Sequence, residues 1–312
     1  MHTTNVPRRK MEAIHIKPVT RKRMEDMREK PKEDENVDAF LEENGLHWNP
    51  ISMSYDSDGD VTADLRVVRE DRCGFKIKFG VVNGYFDCSD LSLECLKNSP
   101  MEIRGPYFTC AHNNLKSLEY SPKTVSGAFV CSYNLLTSLK HSPREVGWYF
   151  NCSHNKLKTL EGAPEMVGGE FNCSVNKDLR DLKHSPRTVD GRFCCVFCGL
   201  ETLYGSPETI KDDFICYNNK LKTLEGSPKT VNGEFNCKSN AIVSLKGSPK
   251  YVGRGFICSD NKLKDLKHSP KYIGRNFNCE GNGLELNTSL DGDVLLKGNL
   301  VVATPFDGVA LL

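Results

Sequence analysis

From Phe86 onward, apolar positions return with one period. The unit reads V-x-G-x-F-x-C-S-x-N-x-L-x-x-L-x-x-S-P-x-x, and F-x-C recurs from Phe86/Cys88 to Phe277/Cys279. Successive cysteines of this motif lie 21 residues apart, with two steps of 22. One longer step has a visible origin: NKDLRDL at Asn176–Leu182 carries one residue more than NKLKTL at Asn155–Leu160. Phe and Cys, two apart, share one face of a short strand. Ser-Pro opens a turn and cannot continue a ladder. The Gly two after Val predicts a bend with positive φ. A 21-residue unit cannot bury its own Phe and Leu, so units must stack. Val61, Leu65 and Val67 carry the same spacing before the first cysteine, and Leu296, Gly298, Leu300 and Val302 carry it after the last. The pattern predicts a β-rich solenoid of about twelve rungs over residues 61–303, with short parallel strands joined by turns and short 3-10 segments. At roughly 4.8 Å per rung it would be about 55 Å long.

The flanks read differently. Residues 1–36 form a charged arm: 1–23 hold seven Lys/Arg against one Glu, and 24–43 hold nine acids against three bases. Such blocks are usually solvated. Residues 37–60 read as an N-terminal cap. VDAFLEENGL, Val37–Leu46, predicts a short helix ended by Gly45, and DSDGD, Asp56–Asp60, a hairpin turn. SLDGD near Asp293 reads likewise, and 304–312 is a tail.

F-x-C-S-x-N-x-L-x-x-L is similar to the leucine-rich-repeat core L-x-x-L-x-L-x-x-N-x-L, with Phe and Cys in two Leu slots. The short unit and phrases such as LEGSPKTVNGEFNC resemble leucine-rich-repeat proteins encoded by tailed bacteriophages. The resemblance covers about four fifths of the chain and implies a setting: a virion component, for example a decoration, collar or tail-associated protein, assembled in the cytoplasm of a bacterial host. The arm, through Arg8, Arg9, Lys10, Arg21, Lys22 and Arg23, would be its anchor.

The cysteines read as structure. Each points inward above the next, with Cβ atoms near 4.8 Å apart, beyond the usual disulfide separation, so the thiols are expected reduced. The Asn column (Asn113, Asn134, Asn155, Asn176, Asn219, Asn240, Asn261, Asn282) would bond backbone groups left where the strand turns away. One rung departs: RFCCVFCGL puts Cys198 in the Asn slot and Cys194 on the outward face. Cys195-x-x-Cys198 is half a zinc spacing without its other half. Cys194 reads as an exposed, modifiable thiol.

Composition adds exclusions. Net charge is +1, which gives no argument for nucleic acid or membrane. No apolar run of about 18 residues exists, so no membrane span or membrane partner is expected. The basic start lacks the apolar stretch of a secretory signal. No P-loop, H-E-x-x-H or G-x-S-x-G occurs, so neither enzyme activity, cofactor nor metal is expected. His141, His184 and His268 fall in turns.

Function in a solenoid then rests on outward strand positions. Tyr107, Val130, Tyr133, Tyr149, His154, Arg192, Phe197, Ile215 and Tyr217 lie there, before a polar run of Glu234, Asn236, Lys238 and Asn276. The cluster Tyr107, Tyr133, Tyr149, His154, Arg192, Phe197, Ile215 and Tyr217 reads as a protein-binding face. A basic stripe follows the turn Pro: Lys123, Arg144, Arg187, Lys229, Lys250 and Lys271, interrupted by Glu165 and Glu208. The expectation is a non-enzymatic protein-binding module. The alternatives are a soluble phage-made inhibitor of a host protein, and a nucleic-acid binder using the arm and stripe.

Overall fold

The computed structural model describes residues 29–285, 288–290 and 293–302. It is a parallel β-solenoid whose long sheet has 12 strands, one per rung, from Val61–Thr62 to Leu300–Val301. Register is one rung per step: Phe150 pairs with Phe171 and Asn151 with Asn172. Every inward Phe therefore lies over the next. Phe129 and Phe150 stack with centroids 5.3 Å apart at 6°. Phe, Cys, both Leu and Val of each repeat form one continuous buried core. Burying each Phe contributes roughly 1.5–3 kcal/mol. The last rung is paired as its spacing predicts, Leu300 on Phe277 and Leu296 on Ile273.

Several local expectations are corrected. The described residues contain no 3-10 segment; the far side of each rung is instead a second short strand around the repeat Val, such as Thr124–Val125. These strands form an 8-stranded and a 5-stranded sheet, which part between Thr188–Val189 and Thr209–Ile210.

The repeat Gly does not take positive φ at Gly127. It is required by close approach, because a Cβ there would collide with the Pro106 carbonyl of the preceding rung.

The first rung is set by Val61, which pairs with Phe86, and by Ala63, whose N–H donates to Asp87 O at 2.8 Å. Leu65 is 60% exposed. The following residues form an insertion that buries Val67, Phe75 and Ile77, so the Leu65–Val67 spacing was coincidental with the repeat.

Cys73 of that insertion and Cys95 of the next rung form a disulfide, 22 residues apart with Cα atoms at 4.7 Å. Cysteines on neighbouring rungs can thus be bridged. The ladder cysteines are not, and several donate to the next rung instead: Cys152 Sγ to Asn172 O at 3.4 Å and Cys88 Sγ to Thr109 O at 3.3 Å. All twelve remaining cysteines are free.

The N-terminal edge is covered. Helix α1 spans Glu35–Glu43, starting two residues before the predicted Val37 because Asp34 caps it, accepting from Val37 N at 2.9 Å. Gly45 follows with φ +58°. Val37, Phe40 and Leu41 are buried, and Phe40 meets Phe79 edge-on at 6.3 Å. Asn44 Oδ1 accepts from Thr62 N, on the sheet edge that would otherwise be open. The hairpin is β1 (Leu46–Asn49) with β2 (Ser54–Ser57). Its turn is Pro50–Met53, not DSDGD. DSDGD is a corner, because β2 belongs to the 8-stranded sheet and Val61–Thr62 to the long one. SLDGD falls partly outside the described residues, and the arm residues Arg8 to Arg23 wholly so.

Candidate functional site

The outward face of the long sheet carries two columns of side chains. One precedes the repeat Phe. Tyr107 lies there, half-buried, stacked on Tyr85 at 4.7 Å and 7°. Tyr149 lies two rungs on and meets Trp148 edge-on at 5.3 Å. Burial and the Glu170 carboxylate push its phenol pKa up. Arg192 follows, but its guanidinium is taken: Nη2 bonds Asp213 Oδ2 at 3.3 Å. Asp213 is buried and also receives Arg254, at 2.8 Å, and Glu234 N at 2.7 Å. Arg254 pairs with Asp212 as well. This part of the face is a closed ion network rather than a free cation.

The other column stands two residues after the repeat Cys. Tyr133, His154 and Phe197 sit here, and not on the strand itself. Each is the left-handed residue that turns the chain off the strand, with φ near +54°. His112 and Val175 complete it, at +53° and +59°. Tyr133 is sandwiched between His112 at 4.2 Å and His154 at 4.0 Å, all three rings near-parallel. Burial, then His112, pushes the His154 pKa below its ordinary value. Phe197 meets Tyr217 edge-on at 6.3 Å. Ile215 is half-buried on its strand, between Cys194 and Asn236.

The left-handed region disfavours L-residues by about 1–2 kcal/mol, least for Gly, Asn and Asp, and a β-branched side chain there is an outlier. Flanking rungs use residues suited to it: Asp90, Asn218 and Asp260, with Ser239. Tyr133, Val175 and Phe197 do not, and with His112 and His154 they make a run of five bulky side chains on consecutive rungs. His112 and Val175 went unread because outwardness was judged from strand alternation. The signal was available as the residue before the repeat Asn.

The rest of each rung is scaffold. Asn134 Nδ2 donates to Cys110 O (2.9 Å), Cys131 O (3.2 Å) and Ser132 O (3.2 Å), while Oδ1 accepts from Leu115 N at 3.0 Å. Cys194 is not an available thiol. It is half-buried, and burial together with Glu170 pushes its pKa up to about 12. Cys198 is buried and donates to Cys173 O at 3.1 Å. Among the described residues no three His, Cys, Asp or Glu side chains group as metal ligands. The basic stripe is partly neutralised, with Arg144 on Glu165 at 3.1 Å and Lys229 on Glu208 at 2.5 Å. No described helix is long and apolar enough to cross a membrane.

No family model matches the chain, and no curated protein matches it. Among solved structures it is similar to YopM from Yersinia enterocolitica WA-314, at 15% identity and a TM-score of 0.49, over 78% of this chain and 64% of that one. The chain therefore matches less than two thirds of that protein's length.

Proposed function

We propose that the chain is a non-enzymatic binding module that grips a protein partner with the His112–Tyr133–His154–Val175–Phe197 column. The observation that carries this reading is the backbone: five neighbouring rungs hold bulky side chains in a conformation that flanking rungs assign to Asp, Asn or Ser. The left-handed backbone costs about 1–2 kcal/mol at residues such as Tyr133, Val175 and Phe197. Strain held at one patch is what a binding surface retains. Stacked, half-rigid rings also lose little side-chain entropy on binding.

The setting we propose is a bacteriophage virion, with the solenoid displayed and the arm as anchor. It rests on the likeness of the repeat unit to phage-encoded leucine-rich-repeat proteins. Mass spectrometry of gradient-purified particles tests it. The protein should be present in stoichiometric proportion to the major structural proteins. Presence only in the soluble lysate would remove the virion setting. Replacing Tyr133 and Phe197 by Ser and Asn, the residues of the flanking rungs, should then leave the fold intact and abolish partner capture; undiminished capture would remove the column from the interface.

A further inference from the structure

A second place departs from the repeat, on the corner that feeds the 8-stranded sheet. The residue after each turn Pro is charged in eight rungs, from Lys123 to Lys271, but is Met101 in the first. The left-handed residue two after the second Leu is Gly, His or Asn in the other rungs, but is Tyr120, at φ +68°, in the second. The two departures fall on adjacent rungs and meet. Met101 and Tyr120 are 48% and 52% exposed, and with Pro100 they line a groove of about 260 Å³. Three lysines, Lys78, Lys97 and Lys123, ring it, and no carboxylate lines it. Lys78 donates to Ser52 O at 2.9 Å, whereas Lys97 and Lys123 form no ion pair with any described residue. Asp71 feels the Lys97 charge but is held by Arg69. The groove is fixed from below, since Ser99 Oγ donates to the Tyr120 carbonyl at 2.6 Å and Asn98 Nδ2 to Phe75 O at 2.9 Å.

We infer that this groove docks an acidic segment of a partner protein, seating one large apolar side chain on Met101 and Tyr120 between carboxylates paired with Lys97 and Lys123. The charge pattern selects the anion. The size selects one side chain, since pockets for whole small molecules begin near 300 Å³. The apolar floor selects against a bare phosphate or a nucleic-acid backbone, which needs only the cations. The inference stands apart from the aromatic column on the long sheet and would survive its failure.

The test is fluorescence anisotropy with the full-length protein and a fluorescein-labelled peptide Asp-Glu-Phe-Glu-Asp. Saturable binding is expected. It should weaken at least tenfold in Tyr120→Gly, in Met101→Lys, in Lys97→Glu/Lys123→Glu, and when Phe of the peptide is Ala. Tyr120→Gly and Met101→Lys install residue types that other rungs carry in those slots, so both should fold, as circular dichroism will show. Equal affinity for the Ala peptide, or in Tyr120→Gly, would reduce the site to diffuse charge attraction and overturn the proposal. So would absence of saturation at millimolar peptide. Competition by free 3-phenylpropanoate at the peptide's own affinity would assign the groove to a small carboxylate instead and overturn the peptide docking.

Discussion

Leu179 and Cys198 compensate one another across two rungs. In other rungs the N–H of the first repeat Leu donates to the Asn of the following rung, as Leu157 does to Asn176 Oδ1 at 3.0 Å. For Leu179 the following rung offers Cys198, whose thiol still donates to Cys173 O but cannot replace the amide oxygen as acceptor. Leu179 N–H instead turns back to Asn176 O at 3.0 Å. The extra residue of that rung, Asp178, makes this closure sterically available. Deleting Asp178 should therefore destabilise the protein by about 1–3 kcal/mol, the cost of a buried unpaired donor. Adding Cys198→Asn to the deletion should recover most of it, while Cys198→Asn alone should gain little. Urea denaturation of the three variants closes a double-mutant cycle. Additive effects would show the two departures to be unrelated.

The thiols should be silent in the native state. Eleven of the free cysteines are buried; wherever a shift is resolved their pKa values lie above the ordinary thiol value, at Cys173 through its hydrogen bond with Cys198 and then burial, at the others chiefly through burial. Cys194, half-buried, is held at about 12 by burial and Glu170. Ellman titration at pH 8 should find almost no reactive thiol in buffer and twelve in denaturant. Two more should appear only after reduction, from Cys73 and Cys95. Rapid native labelling at Cys194 would contradict its described surroundings.

These residues also mark what could be read in advance. The Phe–Cys strand, the Asn column and the last rung were legible because each is a side-chain pattern repeated many times. The Leu179–Cys198 exchange was not, although both departures were visible, because the bond they share spans rungs. Cys73–Cys95 escaped because the ladder's uniform inward geometry was applied to cysteines outside it. The second strand escaped because two residues, Thr124–Val125, are too few to show a period. The columns on the outward face were mixed together because alternation along a strand stops where Tyr133 and His154 turn left-handed.

Val175 should be replaceable with a gain in stability. Its left-handed backbone (φ +59°) suits Asn far better than a β-branched residue. Val175→Asn should raise stability by about 1 kcal/mol in chemical denaturation. If the column binds a partner, the same change should weaken that binding. A variant of lower stability would mean that Val175 contributes more packing than its half-exposed position suggests.

The Asn column should be costlier to disturb than its exposed neighbours. Asn134→Ala strips the acceptor from Leu115 N–H and one of two donors from the Cys110 carbonyl, which keeps Asn113 Nδ2, all within a buried stack. A loss of about 2–3 kcal/mol is expected in urea denaturation. An exposed turn residue such as Thr137 should change by less than about 0.5 kcal/mol when replaced by Ala. Equal small losses at both would mean that water satisfies the ladder and that the Asn column does not tie rung to rung.

His154 gives the surface a direction in pH. Its pKa is lowered in the folded chain, by burial first and by His112 second. The unfolded chain therefore binds a proton more readily than the folded one as pH falls through the ordinary histidine value of 6.5. By linkage, the contribution of neutral His154 is fully present above that value and is lost as pH drops toward the lower folded-state pKa. The stack of His112, Tyr133 and His154 should thus be more stable at pH 7.5 than at pH 5.5. Thermal melts at both pH values, compared between the native chain and His154→Gln, should show a steeper fall for the native chain. A parallel pH dependence in the two would place the titration elsewhere. Imidazole NMR shifts would locate it directly, with the His154 resonance expected to titrate below the ordinary range.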